Sequence, residues 1–541
     1  MLSIFGFLVM LGPLVIVHEF GHFFFAKLFK VKAEAFSVGF GPKLLSKQIG
    51  ETEFRFSLFP LGGYVKLLGE DRDAKLTDEE KKRALHTQAA YKRFFIFFGG
   101  PLFNFLFAIV IFMVILLIGE KQPSNVIGRV VHHSAAEKAG LMSGDRVTAV
   151  NGKPVSLYEE LIQQIQETKE SSVKLDVSRS GRNFSVSVPT APKEGFTQYG
   201  EVANQGEVSG IFPAPRGLIV GVSQPGSIAG RAGLKTGDQI VAVNGQSVSS
   251  WEELEKRFDA LPVGSEFTLE LQSKRTASLK KVKPLPSEAW LALESLGLYS
   301  AELFIDQVLD ASPAFQAGIR KGDRIIAVGG KPLQSFFELR EQVQESGKST
   351  GGKAKVQWER EGKVMSAEIV PSVAYTRDPT LKKVAQFTIG VMPLVSWAEP
   401  DMVVERIWNP FKLLYKGTER MLVLTGKNFV SLRKMIGGDV SVGTLGGPIL
   451  IGKIAGESLS RGWYTFLVTM AVLSIGLGVL NILPVPVLDG GHLLLLGLEV
   501  IRGKPLSLRQ MEIVQQVGLS LILLLMVVVI RNDLARLPLF N

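Results

Sequence analysis

Four long apolar segments divide the chain and predict membrane-spanning helices. They cover residues 2–25, 94–118, 463–483 and about 514–530. Each is close to the roughly 20 residues that a helix needs to cross a hydrocarbon core of about 30 Å. A shorter apolar stretch at 493–500 cannot span, so we expect it at the membrane interface. The pattern therefore predicts a multi-span α-helical membrane protein with about four transmembrane helices.

The region between the second and third segments repeats one pattern three times. Equivalent glycines, Gly140, Gly233 and Gly318, each precede a Gly-Asp pair and a β-branched stretch that ends in a Gly-containing turn. Each repeat predicts a short helix ended by glycine, a turn, a strand and a tight hairpin. A shorter pattern recurs where each unit should close, at 209–211, 296–298 and 389–391. We therefore expect three inserted α+β units.

The first polar loop contains a smaller β pattern. Residues 54–59 alternate apolar and polar, Gly62 and Gly63 follow, and 64–66 continue the alternation. This order predicts a strand, a turn and a second strand. An ordinary surface hairpin fits the pattern equally well.

The basic residues predict the orientation of the chain in the membrane. The loop 27–93 holds fourteen lysines and arginines, and Arg502, Lys504 and Arg509 follow the third span. Loops rich in Lys and Arg stay in the cytoplasm. The long region 120–462 is then outside, together with both termini. The first lysine is Lys27, after the first apolar segment, which favours a retained helix over a cleaved signal peptide.

Composition excludes several classes of function. The net charge of +10 comes from 61 basic and 51 acidic residues, and no basic stripe interleaved with aromatics suggests nucleic acid. Lysines and arginines beside the spans account for the charge better. The absence of cysteine excludes disulfides, Cys-ligated zinc and thiol catalysis.

The first apolar segment carries a candidate metal motif. Between residues 2 and 26 the only ionisable side chains are His18, Glu19 and His22. On a helix the two histidines project from one face, so they can hold one Zn²⁺ with Glu19 as general base beside the attacking water. The alternative is a chance motif whose histidines are satisfied by hydrogen bonds. Charges at membrane depth are costly without a role, which argues against it.

A catalytic zinc usually takes three protein ligands. Of the six histidines, His86 falls in a charged loop and His132-His133 open the first repeat, so these are most simply exposed to solvent. Asp489 and His492 are the candidates in an apolar setting. Asp489 follows a long uncharged stretch, where a carboxylate is expensive without a cation.

The two apolar motifs together resemble the site-2 protease family of intramembrane zinc metalloproteases. They are His18-Glu19-Phe20-Gly21-His22 and the segment 481–490, Asn-Ile-Leu-Pro-Val-Pro-Val-Leu-Asp-Gly. The repeats resemble bacterial PDZ domains, and their place between the second and third spans is similar to the regulator of sigma-E protease branch. Familiar members of that branch carry one or two PDZ domains, so three units are a departure.

The resemblance implies roles for particular residues. His18, His22 and Asp489 would bind zinc, with Glu19 as catalytic base and then proton donor to the leaving amine. Substrate would be handled by the broken helix and a membrane-associated β-hairpin, whose residues are Asn481, Pro484, Pro486, Phe54, Phe56, Gly62 and Gly63. Asn104 matches another recurrent position. The PDZ resemblance implies binding of peptide C-termini, with 216–220 as the carboxylate loop of the second unit. The alternative is that the units only space or shield the membrane part.

The expected activity is a zinc endopeptidase that cuts single-span membrane proteins, such as anti-sigma-factor-like proteins or signal-peptide remnants, after a prior cut. It would lie in the bacterial inner membrane with the PDZ-like units in the periplasm. The predicted domains are 1–119, with the first two spans and hairpin; 120–213, 214–301 and 302–395, the PDZ-like units; 396–462, amphipathic interfacial helices; and 463–541, the last two spans.

Two rival functions fit parts of the pattern. One is an inactive PDZ scaffold or binding protein anchored by the spans, although it has no evident need of intramembrane charges. The other is a transporter that uses His and Asp for ion coupling. No inverted repeat supports a transporter, and a long adaptor array would be unusual in one.

Overall fold

The structure is a computed structural model that describes residues 2–70, 76–199, 201–273, 275–281, 293–349, 352–377, 383–440, 443, 445–504 and 506–535. Residues 71–75, in the charged loop that follows the first predicted span, lie outside this set. The helices are α1 (Leu2–Leu28), α2 (Asp78–Arg83), α3 (Ala90–Ile118), α4 (Ala135–Lys138), α5 (Tyr158–Glu167), α6 (Ile228–Arg231), α7 (Trp251–Asp259), α8 (Pro313–Gln316), α9 (Phe336–Lys348), α10 (Pro410–Ile436), α11 (Pro448–Ser460), α12 (Trp463–Ile482), α13 (Asp489–Arg502) and α14 (Leu508–Ala535).

Within the described residues, four helices are long and apolar enough to cross a membrane. They are α1, α3, α12 and α14. The first three share one core, in which Met10 and Leu14 of α1 pack with Phe112 of α3 and with Phe466 and Ile475 of α12. The side chains of α14 are largely exposed within the chain, as expected of a helix surrounded by lipid.

Glycines let α1 and α3 approach closely where they cross. A Cβ added at Gly21 would lie 2.1 Å from the carbonyl oxygen of Gly99, and one at Gly99 would lie 2.5 Å from that of Gly21. Small residues permit this backbone contact between membrane helices. The crossing places the middle of α3 directly against the helical turn that carries His18 and His22.

Two long strands between α1 and α2 form a small sheet. They are β1 (Ala33–Ile49) and β2 (Thr52–Leu67), joined by a turn at Gly50. Residues 35–38 lie opposite 63–66 on one side and opposite 53–56 on the other, while 45–49 pair with 52–56.

The predicted two-strand hairpin with its turn at Gly62-Gly63 is therefore wrong in its pairing. Residues 54–59 and 64–66 both lie in β2, and β1 separates them. Alternation of side chains identifies strands but not their partners, which depend on contacts distant in sequence.

The three repeats share the order strand, short helix, two strands, helix, two strands and closing strand, and among the described residues the first and third units have two further strands before the last. In the first unit the strands are β4 (Arg129–Val130), β5 (Arg146–Val150), β6 (Lys153–Pro154), β7 (Ser172–Arg179), β8 (Arg182–Pro189), β9 (Ala191–Phe196), β10 (Val202–Glu207) and β11 (Ile211–Phe212). The second unit has β12 (Val220–Val222), β13 (Ile240–Val243), β14 (Gln246–Ser247), β15 (Glu266–Leu271), β16 (Thr276–Lys280) and β17 (Leu298–Ser300). The third has β18 (Ile305–Val308), β19 (Arg324–Val328), β20 (Lys331–Pro332), β21 (Ala354–Arg360), β22 (Lys363–Ile369), β23 (Ser372–Arg377), β24 (Lys383–Thr388) and β25 (Val391–Pro393).

Each unit has one four-stranded sheet and its own core. The sheets run β6-β5-β7-β8, β14-β13-β15-β16 and β20-β19-β21-β22. The Gly-Asp motif explains their shared turn, because the aspartate accepts a backbone N–H three residues earlier and an arginine of the sheet. In the first unit Arg179 lies 2.6 Å from Asp145, and in the second Arg275 lies 2.6 Å from Asp238. In the third unit Arg360 lies 2.7 Å from Asp323.

The first and third units are in direct contact. Arg129 of the first unit donates two hydrogen bonds, of 2.8 and 3.1 Å, to Glu302, which begins the third. Both side chains are almost completely buried. The rings of Phe212 and Phe337 stack 4.9 Å apart, and Trp397 lies 5.5 Å from Phe337. These contacts join the first and third units.

Both ends of the array of three units meet at the C-terminal end of α3. There β3 (Glu120–Pro123) pairs antiparallel with β26 (Met402–Glu405). Beyond β26, helix α10 is capped by Asn409, whose side chain accepts the N–H groups of Phe411 and Lys412. Helix α10 has several exposed apolar residues, including Phe411. Its Met421 instead packs in the core that α1, α3 and α12 share.

Candidate metal centre

Two histidines of α1 form one side of the candidate site. Nε2 of His18 lies 3.3 Å from Nε2 of His22, and the rings meet edge to face with centroids 5.0 Å apart. Their spacing of four residues places both on the face of α1 that crosses α3. Both side chains are largely shielded from solvent, being 11% and 13% exposed.

Asp489 reaches these histidines from the other end of the chain. After α12 ends at Ile482, the backbone folds back sharply, and Val487 has a φ of +82°, which is rare for a β-branched residue. Gly490 and Gly491 permit the fold: a Cβ at either would lie within 2.4 Å of a carbonyl oxygen of the loop. Asp489 is thereby placed at the first position of α13, facing α1.

The three side chains converge at the spacing that one zinc ion requires. Nε2 of His18 lies 3.2 Å from Oδ2 of Asp489, and Nε2 of His22 lies 3.4 Å from Oδ1. Tetrahedral ligands about 2.0–2.1 Å from a zinc ion would be about 3.3 Å apart. Oδ2 of Asp489 is buried and has no hydrogen-bond partner among the described residues. A bound cation would supply the partner that this oxygen lacks. The donor set therefore fits zinc.

Backbone and side-chain groups of α3 orient the rings from behind. Nδ1 of His22 lies 2.7 Å from the carbonyl oxygen of Ile96. A carbonyl oxygen only accepts, so Nδ1 carries the proton and Nε2 offers its lone pair to the site. On the other ring, Nδ1 of His18 lies 3.0 Å from the amide of Asn104, which is fully buried.

Gly100 of α3 lines the site itself. A Cβ at this position would lie 2.4 Å from Nε2 of His22 and 2.8 Å from Nε2 of His18. A side chain there would enter the space between the ligand atoms. The glycine therefore keeps the centre open on the α3 side.

Glu19 is half-buried beside the edge of the sheet. A Cβ at Gly63 of β2 would lie 2.9 Å from Cγ of Glu19 and 3.0 Å from Cγ1 of Val15. Residues 63–66 pair with 35–38 on one side only, so the other edge of this segment has no strand partner among the described residues. An edge with unpaired backbone groups therefore runs past the predicted base.

The other predicted substrate residues of β2 differ in their surroundings. Phe54 packs against Phe23 of α1, with centroids 5.8 Å apart, whereas Phe56 is 47% exposed. Gly62 lies against the ring of Phe40.

The remaining predicted substrate residues lie at the end of α12 and in the segment after it. The amide nitrogen of Asn481 is 3.3 Å from Nε2 of His18. Pro486 contacts α14, where a Cβ at Gly518 would lie 2.3 Å from it, and Pro484 is exposed. Asn481 is thus next to the metal ligands, while the two prolines are more distant.

The remaining histidines lie apart from the three ligands. Nδ1 of His86 contacts the carbonyl oxygen of Gly69, and His132 pairs with Glu137. His492, the rival third ligand, stacks on Phe97 of α3 with centroids 4.9 Å apart. Among the described residues, only His18, His22 and Asp489 form a group able to hold a metal.

The predicted carboxylate loop of the second unit is ion-paired and hydrogen-bonded within the chain. The Arg216 guanidinium is paired with Glu252 and Glu255, each at 2.8 Å. These carboxylates raise the pKa of Arg216 further, against the effect of its burial. The N–H of Gly217 donates to the carbonyl oxygen of Ser396, so this group already has a partner within the chain.

Sequence reasoning missed three groups near the centre. The Ile96 carbonyl carries no sequence signal, because every residue has one. Gly100 could have been suspected, since Gly99-Gly100 interrupts a span of large apolar residues. Glu499 was also detectable as a lone acid in the apolar stretch of α13, and it pairs with Arg93.

Comparisons with known proteins agree over almost the whole chain. The family model described as peptidase family M50 matches residues 6–525. "Protease RseP" of Yersinia pestis is 29% identical over 541 residues, covering 99% of each chain. "Regulator of sigma-E protease RseP" of Escherichia coli is 28% identical over 539 residues, covering 98% of each. A protein of Neisseria meningitidis named as a candidate zinc metalloprotease is 29% identical over 538 residues, covering 99% of each.

A solved PDZ domain protein from Parabacteroides distasonis also matches, covering 49% of this chain and 95% of its own. Its TM-score of 0.14 and identity of 12% carry no argument about the fold. The full-length matches confirm the family resemblance seen in the two apolar motifs, and with the apolar helices they indicate a multi-pass membrane protein. The chain belongs to peptidase family M50 and is a zinc metalloprotease.

Proposed function

We propose that this protein is an intramembrane endopeptidase that cuts single-span membrane proteins within or near the bilayer. The observation that carries the proposal is the convergence of His18, His22 and Asp489, with separations of 3.2–3.4 Å, from helices at opposite ends of the chain. Its substrates would be anti-sigma-factor-like proteins or signal-peptide remnants that another protease has already trimmed. This sequence of cuts is regulated intramembrane proteolysis.

The proposed roles follow from where each side chain lies. His18 and His22 offer Nε2 and Asp489 offers its carboxylate to zinc. When bound, zinc supplies Lewis-acid chemistry, which acidifies water and polarises a carbonyl. Glu19, the base beside this centre, accepts the proton of the attacking water and returns it to the leaving amine nitrogen. Ile96 and Asn104 hold the two imidazole rings in orientation.

The free edge of β2 offers a way to bind an unwound substrate. A transmembrane helix conceals its amides in internal hydrogen bonds, so hydrolysis requires an extended segment with replacement partners. Residues 63–66 present an unpaired edge beside Glu19, where a substrate strand can add. The broken segment 481–488, with Asn481, Pro484 and Pro486, would flank it on the α12 side.

The outer array would restrict access to the site. We place residues 120–213, 214–301 and 302–395 as three PDZ-like domains in the periplasm and 396–462 as interfacial helices. The docking of the first unit on the third supports a rigid body above the spans, which large outer domains of a substrate cannot pass. Binding of peptide C-termini would fall to the first or third unit, because the loop at 216–217 in the second is engaged within the chain.

The test combines metal analysis with a cleavage assay in detergent or liposomes, using a single-span substrate that lacks its outer domain. We expect Glu19→Gln to lose cleavage while zinc is retained, and His22→Ala to lose both. Glu512→Gln, at an exposed acid of α14, is the matched control and should behave as the wild type.

Two outcomes would contradict the proposal. Unchanged cleavage by Glu19→Gln removes this residue from the mechanism. A wild-type protein that binds peptide at its outer units but holds no zinc and cuts nothing would be the inactive PDZ scaffold.

A further inference from the structure

One face of α3 contacts both halves of the candidate centre. Arg93, Phe97, Gly100 and Asn104 are separated by four, three and four residues, a spacing that aligns side chains along one stripe of a helix. This stripe is defined here by these four residues.

The first half of the stripe holds α13. Arg93 donates two hydrogen bonds, of 2.7 and 3.1 Å, to the two carboxylate oxygens of Glu499. The side chains are 11% and 18% exposed, so this is a shielded ion pair with two-point geometry. One turn further along α3, the ring of Phe97 stacks on His492 with an interplanar angle of 15°.

The second half of the stripe holds α1. Gly100 lies directly against Nε2 of both imidazoles, and Asn104 contacts Nδ1 of His18. Between the two halves, the carbonyl oxygen of Ile96 accepts the proton of Nδ1 of His22. A shift of α3 would therefore change its contacts with both α1 and α13.

Asp489 lies at the first residue of α13, at the end of a sharply folded loop. One residue of helix rotation turns a side chain by about 100°, which would carry the carboxylate away from the imidazoles. His492 and Glu499 are three and ten residues further along, so both fall on the same side of α13 as Asp489. Contacts at His492 and Glu499 fix the rotation of α13 and its position along its own axis.

We propose that Arg93 and Glu499, together with Phe97 and His492, are positioning residues that register Asp489 against His18 and His22. They touch neither substrate nor metal and act only through α13. The inference rests on the proposed metal centre. Groups that orient metal ligands from behind typically change metal affinity by about 10–100-fold when removed.

The experiment measures metal binding rather than proteolysis alone. The full-length protein in detergent is stripped of metal and titrated with Co²⁺, whose visible absorption reports the geometry of its ligands. We expect Glu499→Gln to weaken Co²⁺ binding by about 10-fold or more and to alter the spectrum. Arg93→Glu should do the same, and the double reversal Arg93→Glu with Glu499→Arg should restore most of both.

The stack at His492 gives a second, independent readout. His492→Phe keeps an aromatic ring on Phe97 and should retain Co²⁺ binding, whereas His492→Ala should weaken it. The matched control is Glu359→Gln in the third unit, whose partner Arg324 lies 2.7 Å away. It breaks a comparable pair far from the spans and should leave the Co²⁺ spectrum unchanged.

The outcomes separate this inference from the proposed function. If the wild type binds no Co²⁺ and cuts nothing, the metal centre itself is wrong. If the wild type binds Co²⁺ but Glu499→Gln lowers only the melting temperature, the ion pair is structural and the inference is overturned. If the charge variants do not fold, the His492 pair decides, and equal binding by both variants overturns it.

Discussion

Asn104 and His18 are joined by a contact of 3.0 Å between the amide nitrogen and Nδ1, and Oδ1 of Asn104 is buried without a hydrogen-bond partner among the described residues. The two ends of an amide are related by a half-turn of the side chain, so its orientation is assigned from the hydrogen-bond network. With zinc on Nε2, Nδ1 of His18 must carry the proton and requires an acceptor. Turning the amide brings Oδ1 to that place.

Replacement of Asn104 should therefore affect the metal before it affects the fold. We expect Asn104→Ala to weaken zinc binding by about 10–100-fold, because the imidazole of His18 loses its acceptor. Asn104→Asp keeps an oxygen at the same place and should retain most of the affinity. Competition with a coloured chelator measures both, and equal affinity of Asn104→Ala and wild type would refute the role.

Gly100 offers a steric test of the same centre. An alanine Cβ would lie 2.4 Å from Nε2 of His22, so the ring or α3 must move. Overpacking of this kind typically costs about 1–3 kcal/mol, which is roughly 5- to 160-fold in metal affinity. We expect Gly100→Ala to lose zinc and cleavage together.

The control for that variant is Gly12→Ala, at a glycine of α1 that has open space beside it. Among the described residues, no atom lies within 4 Å of a Cβ at Gly12. This variant should keep its zinc, as determined by elemental analysis of the purified protein. Equal zinc content in the two variants would show that Gly100 does not border the metal.

The strand pair at the base of the outer array permits a clean deletion. Met402 pairs with Pro123, so residues 124–401 can be replaced by a two-residue Asn-Gly turn that closes β3 and β26 as a hairpin. Glu120 then keeps its contact with Arg420, at 2.8 Å. We expect the shortened protein to cut a substrate that retains its outer domain, as followed on gels with reconstituted substrate.

The full-length protein is the comparison in that assay and should require prior trimming. A shortened protein that binds zinc yet still demands trimming would rule out the array as a filter.

Glu294 should make the second unit sensitive to pH. Its burial raises the pKa of its carboxyl to about 7, from an ordinary value of 4.5. The folded state therefore binds the proton more tightly than the unfolded state does. The contribution of this carboxyl to stability is greatest below about pH 4.5 and declines as the pH rises towards about 7, by roughly 3 kcal/mol in total.

Hydrogen exchange of the amides in the second unit measures this change, after correction for the intrinsic effect of pH. Glu294→Gln has no proton to lose, so its protection should stay constant over the same range. Matching pH dependence in both proteins would assign it to another group.

The resemblance of two short motifs identified the family, and the full-length matches confirm that recognition. Local pattern also predicted the helices well, because the apolar residues that a membrane requires are consecutive in the chain. The prediction of β pairing failed: 54–59 and 64–66 are strands of one sheet, but β1 lies between them. Strand partners depend on contacts between residues distant in sequence, which alternation does not reveal.

What the sequence by itself determined is therefore what neighbouring residues encode: the long apolar helices, the three repeated turns, and the placement of His18 and His22 on one face of α1. Only the tertiary structure decided that Asp489 meets those histidines, that Arg93 pairs with Glu499, and that the first and third outer units are docked. The physical reason is that helical periodicity and turn chemistry act over a few residues, whereas these contacts depend on how rigid helices and domains pack.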